Sequence, residues 1–324
     1  MPKAIVTYHP GGPEAMRFED RPLPPVGPDD LLIRHTAIGV NFIDVYQRAG
    51  RYPVPAYPAG LGAEGVGAVE AIGAGVTTAR VGDRVGYALR APGSYAEQRV
   101  VPAAACVRIP DGVPDDVAAV LMLKGLTAEY LLHRTHAVRP GNTILVHAAA
   151  GGMGLLLCQW GKALGARVLG TTSSPEKAAL ARAHGCDEVI LYTEEDFAAR
   201  ARALTNGRGV DVVYDGVGKM TFQRSLDALA VLGHLVCYGA ASGPVEPFDL
   251  TKLAAASLTV SRPTLFHYTL DRARLEEMAA RTFAAVRAGT LRVAALERFA
   301  LKDAAEAQRK LESRASIGAM VLIP

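Results

Sequence analysis

The stretch His147-Ala148-Ala149-Ala150-Gly151-Gly152-Met153-Gly154 carries the clearest chemistry in the chain. The preceding Asn142-Thr143-Ile144-Leu145-Val146-His147 has the make-up of a buried strand, and the residues after Gly154 continue as a helix ending near Leu164-Gly165. Small residues at such a junction let the backbone approach a pyrophosphate closely and let helix and strand pack without intervening side chains. The helix start adds free N–H groups and the positive end of the helix dipole. Ala148, Gly151 and Gly154 occupy the three places of a dinucleotide-binding turn. Glycine triplets are common, but a triplet between strand and helix, with a further βαβ unit behind it, reads as a cofactor site. At the end of the next strand the sequence is Gly170-Thr171-Thr172-Ser173-Ser174-Pro175-Glu176-Lys177. An NAD-selective fold places Asp or Glu at the strand end, where its charge would repel a 2′-phosphate. Here the hydroxyls of Thr172, Ser173 and Ser174 and the ammonium of Lys177 suit a phosphate instead, so NADPH is expected over NADH. The plainer alternative is that Ser173 and Ser174 only cap a helix and Lys177 is solvated.

The elements that must position this turn follow an α/β pattern. From about Gly125, strands alternate with longer helical stretches: strands at Arg167–Thr171, Glu188–Ile190, Val210–Tyr214, His234–Tyr238 and Leu258–Val260 are the signature of a doubly wound parallel sheet. Ser174-Pro175 opens one helix with a hydroxyl cap and proline at its first position, and His184-Gly185 closes it. The first third is different, with short β-type runs such as Leu31–Arg34, Gly65–Val69 and Asp83–Tyr87 set between Gly and Pro. A long amphipathic segment, Leu275–Ala288, precedes short β-type runs at the end, and that tail is expected to complete the first domain.

Bulk properties narrow the function classes. The 324 residues are 50% hydrophobic and 21% charged, enough for two cored domains. A formal net charge of only +3, with no long run of like charge, gives nucleic acid or an anionic membrane no electrostatic footprint to meet. No apolar stretch is long enough to span a bilayer and the first residues read as a strand, so a cytoplasmic location is the expectation. The four cysteines, Cys106, Cys158, Cys186 and Cys237, are widely spaced and read as buried free thiols. His133 and His136 lie three apart, a spacing common on a solvated helix face.

Several stretches together resemble the zeta-crystallin/quinone oxidoreductase branch of the medium-chain dehydrogenases. They are Gly11-Gly12-Pro13-Glu14, Asn41-Phe42-Ile43-Asp44-Val45-Tyr46, Leu123-Lys124-Gly125-Leu126-Thr127-Ala128, Ala149–Gly154 with Gln159 and Lys162, Val213–Gly218, Ser261-Arg262-Pro263-Thr264-Leu265 and Leu311-Glu312-Ser313-Arg314. The resemblance spans the whole chain and implies a GroES-like β-rich domain over residues 1–122 and 263–324, a Rossmann domain over 123–262, NADPH as cofactor, and a homodimer. It also implies cofactor contacts. Asn41, Phe42, Ile43, Asp44, Val45, Tyr46, Lys124, Thr127 and Tyr130 would lie toward the nicotinamide. Gly151, Gly152 and Met153 would hold the pyrophosphate, with Thr172, Ser173, Ser174, Lys177 and Tyr192 around the adenosine phosphate. Val217, Tyr238, Gly239, Ala240 and Ala241 would line the far side, and Pro263, Thr264, Leu265 and Arg314 would close the site. The Leu235–Leu250 region is the expected dimer surface, because a terminal sheet strand can pair across a two-fold axis.

Zinc is not expected. Alcohol dehydrogenases of this superfamily hold zinc with an early-loop Cys, a Gly-His-Glu segment and a further acid or Cys. Here the loop has Asn41 and Asp44, and the segment reads Gly62-Ala63-Glu64. Without a Lewis acid the suitable acceptors are already electron-poor, such as quinones or conjugated enones. Asn41, Tyr46 and Tyr52 are the candidate catalytic residues, the two tyrosines in the loop after Asn41 as proton donors alongside water. An alkenal or enone reductase is the alternative enzyme, and a non-catalytic NADPH- or RNA-binding crystallin-like protein is the alternative of another class.

Overall fold

The structure, a computed structural model, describes residues 1–313 and 316–324. It divides into two compact units: 1–126 with 268–287 and 293–324, and 127–267 with 288–292. The expected boundaries at 122/123 and 262/263 lie a few residues short of these divisions. The return of 288–292 to the second unit was not anticipated.

The first unit opens with β1 (Lys3–Thr7) and β2 (Met16–Asp20), then β3 (Asp30–Gly39), helix α1 (Phe42–Arg48), β4 (Ala59–Gly60), β5 (Glu64–Ile72), β6 (Arg84–Ala88), β7 (Gln98–Pro102) and β8 (Cys106–Arg108). Short β-type runs with Gly and Pro between them leave little room for helix, and most strands pair antiparallel. Helices α2 (Asp115–Leu121) and α3 (Lys124–Tyr130) lead into the second unit, where a π-helical turn, Leu131–Thr135, follows.

The second unit holds β9 (Thr143–Val146), α4 (Gly152–Ala163), β10 (Arg167–Thr172), α5 (Pro175–Ala183), β11 (Glu188–Leu191), α6 (Phe197–Leu204), β12 (Val210–Asp215), α7 (Phe222–Ala228), β13 (Leu229–Cys237) and β14 (Thr259–Ser261). All six strands are parallel, in the order β11-β10-β9-β12-β13-β14. The order runs outward in both directions from β9, so the strand entering the glycine turn lies at the topological switch point, where doubly wound sheets bind ligands. β9 is buried along its whole length, as expected of a parallel strand with cover on both faces. After the short α8 (Leu265–Tyr268), α9 (Arg272–Arg287) returns to the first unit, followed by β15 (Leu296–Ala300), α10 (Ala304–Glu312) and β16 (Ala319–Ile323). β16 pairs with β3, so the last strand completes the first unit's large sheet.

Two expectations need correcting. Tyr46 lies within α1 and not in a loop, because Asn41 starts a helix there. His133 is not on a solvated face, since its ring packs edge-on against Trp160 at 5.1 Å. Of the expected dimer surface, Leu235 at its start is fully buried in β13, while Leu250 at its end is exposed. No helix among the described residues is long and apolar enough to cross a membrane, and all four cysteines are buried and free.

Candidate active site

In the second unit the site is made of backbone. Ala148 adopts a left-handed conformation (φ 51°), which turns the chain sharply after β9. Its carbonyl accepts from Gly151 N at 2.9 Å, and Ala149 N donates to Thr171 O at 3.0 Å, tying the turn to β10. A side chain at Gly154 would drive its Cβ into Ala148 O and the Ala149 backbone, so only glycine allows α4 to start this close to the turn. Gly151 is the cap, and Gly152 and Met153 are the first helical residues, half-buried, with their N–H groups at the helix start.

At the end of β10, Thr172 is buried and donates to Ser174 O at 3.4 Å. Ser174 Oγ accepts from Lys177 N at 3.3 Å, the hydroxyl cap expected from Ser-Pro. Ser173 O accepts from Thr193 Oγ1 at 3.4 Å, and Tyr192, 45% exposed, follows a backbone link from its N to Thr172 O. Ser174 is thus engaged in capping, which leaves Ser173, Lys177 and Tyr192 as the group around this strand end. The far side is built by backbone as well: Tyr238 N and Gly239 N donate to Asp215 O, Ala241 N to Gly216 O and Ser242 N to Val217 O. Ala240 O closes the same turn by accepting from Gly243 N at 3.0 Å. A Cβ at Gly239 would meet Gly216 backbone, so these two turns pack directly on each other. Pro263 and Thr264 precede a tight turn in which His267 N donates to Thr264 O, and Leu265 is buried. Thr127 and Tyr130 are buried on α3. Arg314 lies outside the described residues.

Behind the phosphate turn runs a buried polar chain that motif reading missed. Asp215 Oδ1 accepts from Val217 N (2.7 Å) and Gly218 N (3.0 Å), while Oδ2 accepts from Thr221 Oγ1 at 2.7 Å and Ser225 Oγ at 3.4 Å. His147 bridges Ser225 Oγ and Thr171 Oγ1, each at 2.9 Å. Burial holds the His147 ring below its ordinary pKa, with Asp215 pulling the other way. The ring is therefore a neutral link across β9, β10 and α7. The signal available in sequence was an Asp ending a strand before Gly-Val-Gly, an Asx turn.

In the first unit the site is made of side chains. Asn41 caps α1: its N donates to Asp44 Oδ2 at 2.8 Å, the spacing of a capping box. Its amide is held at both ends. Lys124 Nζ donates to Asn41 Oδ1 at 2.5 Å and to Val40 O at 3.0 Å, and Asn41 Nδ2 donates to Glu64 Oε1 at 2.7 Å. Glu64 Oε2 accepts from Leu123 N at 2.5 Å, and the ammonium lies 3.6 Å from Oε1. Burial pushes the Glu64 carboxyl up and Lys124 opposes it. Both of its oxygens face N–H donors, which is the arrangement of a carboxylate. Asp44 is fully buried, and its side chain holds Asn41 through the backbone N–H. Burial raises its carboxyl to about 7, Glu64 adding to the rise and the Asn41 N–H and Tyr95 hydroxyl opposing it. Tyr95 donates to Asp44 Oδ2 at 2.9 Å, and Gln308 Nε2 reaches the Tyr95 hydroxyl at 3.5 Å. Arg48, 2% exposed, donates to Gln308 Oε1 at 2.8 Å, to both Glu312 oxygens at 2.9 Å and to Gly11 O at 3.0 Å. Thus α1 is pinned by α10 from the far end of the chain. Phe42 and Ile43 are half-buried, Val45 and Tyr46 are buried, and the Tyr46 and Tyr52 rings meet edge-on at 5.2 Å, with Tyr52 37% exposed.

Residues 27–111 match the Alcohol dehydrogenase GroES-like domain family and residues 152–284 the Zinc-binding dehydrogenase family. The zinc of the second name does not fit the residues here. Ala63 offers no donor atom, Asn41 Oδ1 already accepts from an ammonium, and Lys124 brings positive charge where a metal needs a lone pair. Among the described residues no three His, Cys, Asp or Glu are grouped to hold a metal. A quinone oxidoreductase of Pseudomonas aeruginosa is 49% identical, with 97% of each chain covered. A 2-haloacrylate reductase of a Burkholderia species is 43% identical over 100% of this chain and 99% of its own. The solved structure of the Escherichia coli quinone oxidoreductase complexed with NADPH superposes with a TM-score of 0.96 at 40% identity, covering 99% of this chain and 100% of that one. With both ends and the middle of the chain accounted for, the protein belongs to the quinone oxidoreductase family of the medium-chain dehydrogenase/reductase superfamily.

Proposed function

We propose that the protein is an NADPH-dependent reductase of quinones. The observation that carries this is end-to-end similarity to quinone oxidoreductases in a chain whose phosphate turn is intact. The residues fit the cofactor. The close approach of Gly154 to Ala148 keeps the turn open to a pyrophosphate, and β10 ends in hydroxyls with Lys177 nearby in place of a carboxylate. In this reading the backbone of Gly151, Gly152 and Met153 holds the pyrophosphate, and Ser173, Lys177 and Tyr192 receive the 2′-phosphate. Val217 and Tyr238 to Ala241 line one wall and Pro263 to Leu265 another. Phe42, Ile43, Val45, Thr127 and Tyr130 shape the nicotinamide side. When bound, NADPH supplies a hydride, two electrons with one proton, and the acceptor needs one further proton. Tyr52, more than a third exposed, is open to exchange with water, and Tyr46 orients it through the edge-on ring contact.

A second acceptor class has a specific observation behind it. A relative at 43% identity is named for 2-haloacrylate, an alkene activated by a conjugated carboxyl group. The working assembly in this reading is a cytoplasmic homodimer. Buried free thiols suit a reducing compartment, β14 offers a free sheet edge, and Val231, Leu232 and Leu250 are each more than 70% exposed. Nucleic acid has no place in this function, since the net charge is only +3.

The test is oxidation of NADPH and of NADH with benzoquinone, phenanthrenequinone and chloroacrylate as acceptors, with light scattering for the assembly. Quinone-dependent turnover preferring NADPH supports the proposal. Turnover on chloroacrylate alone moves the protein to the second reading, and tight NADPH binding without turnover on any acceptor removes both.

A further inference from the structure

The mismatch between a zinc-named family and this donor set has a positive side: the protein's own cation sits among these groups. The Lys124 ammonium, on a residue 8% exposed, sits on Val40 O and Asn41 Oδ1 with the Glu64 carboxylate 3.6 Å away. This fixes the Asn41 amide without ambiguity. The ammonium has only donors, so it must face Oδ1, and the carboxylate has only acceptors, so it must face Nδ2. An amide N–H₂ has two hydrogens, and Glu64 takes one. Among the described residues the second hydrogen has no acceptor. An ammonium on the oxygen of an amide draws charge from its nitrogen and strengthens each N–H as a donor.

We propose that Lys124 is a built-in cation that orients and polarises Asn41, and that the remaining Asn41 N–H donates to the acceptor oxygen on which negative charge grows during reduction. This rests on the reductase reading above and assigns the electrophilic role within it. A bound nicotinamide would supply the hydride that turns a quinone into the hydroquinone monoanion, and the Asn41 N–H would stabilise that oxygen until water protonates it. Asn41 is then the catalytic donor and Lys124 the positioning residue. Such a donor costs nothing to reorganise at the moment of reaction, and removing one costs roughly a hundredfold or more in kcat in comparable sites.

The experiment compares wild type, Lys124→Ala, Lys124→Met with Glu64→Gln, and Asn41→Ala, following kcat and KM for benzoquinone and NADPH affinity by nicotinamide fluorescence. The expected result is a kcat lowered roughly a hundredfold in all three, with NADPH affinity within about threefold of wild type. Methylammonium or ethylammonium, which donate hydrogen bonds, should restore Lys124→Ala, and tetramethylammonium, which cannot, should leave it slow. The double variant guards against a fold lost to an unpaired buried Glu64, because a glutamine there can pair with a reversed Asn41 amide. A double variant with the wild-type kcat overturns the proposal, as does equal response of Lys124→Ala to tetramethylammonium and to the primary ammonium ions. Wild type that binds NADPH but reduces no quinone or activated alkene defeats the reductase reading itself.

Discussion

The two polar assemblies of this protein solve the same problem, holding a site still, in opposite ways. The one behind the phosphate turn joins neutral and hydrogen-bonded groups, Thr171, His147, Ser225 and Thr221, to a single carboxylate, Asp215, whose oxygens are satisfied by N–H and hydroxyl donors. What it presents is backbone. The one around α1 gathers Lys124, Glu64, Asp44 and Arg48 in one connected network with Asn41, Tyr95 and Gln308. What it presents is an amide whose electronics are set by charge. Cradling a permanently charged phosphate needs many fixed N–H groups. Stabilising charge that appears only during reaction needs a polarised donor prepared in advance.

Asp44 gives the sharpest test of that difference. Its carboxyl lies at about 7 in the folded protein against an ordinary value of 3.8, so the folded state holds the proton more tightly than the unfolded chain does. The stability this contributes is present below the unfolded value and is lost as pH rises through the folded one. Relative to Asp44→Asn, wild type should therefore lose ~4 kcal/mol between about pH 4 and about pH 8. Urea unfolding of both proteins across that range measures it, and parallel stability curves would dissolve the contrast between a network of several charged groups and one with a single carboxylate.

Arg48→Met should come next, at ~3 kcal/mol of stability, because it strips partners from buried Gln308 and part-buried Glu312 at once. A loss below ~1 kcal/mol would mean that α10 does not pin α1. In the other region, Gly154→Val puts side-chain atoms against Ala148 O, and it should weaken NADPH binding on the order of a hundredfold while leaving the first unit's fold intact. Isothermal titration with far-UV circular dichroism separates the two. The smallest effect is expected at the strand end: Lys177→Ala should lower the preference for NADPH over NADH by about tenfold, one charged hydrogen bond. An unchanged preference would return Lys177 to the role of a solvated helix residue.

The contrast also governs what was legible. The phosphate turn is local: strand, small residues and helix occupy one continuous stretch, and Gly154 and the Ser174 cap follow from rules that span a few residues, whereas the left-handed Ala148 does not, because alanine ordinarily avoids that conformation. The α1 assembly draws on residues near 41, 64, 95, 124 and 308, and nothing in the spacing of Glu64 or Gln308 announces that they meet. Only Asn41 with Asp44 carried a local signal, the capping-box spacing, and reading that stretch as a loop hid it. Lys124 was identified by resemblance, but its ammonium on the Asn41 carbonyl emerged only once β3, β5 and α3 were assembled.

By itself the sequence determined the fold class, the order of strands in the second unit, the glycine turn between strand and helix and the absence of a histidine at position 63. Each is set by hydrophobic period, turn chemistry or residue identity, which act over short stretches of chain. The tertiary structure decided the rest: which side chains share a buried site, which way the Asn41 amide faces, and why Asp44 holds its proton to about 7. Those depend on desolvation and on charges brought together from distant positions, and such energies do not exist until the chain has folded.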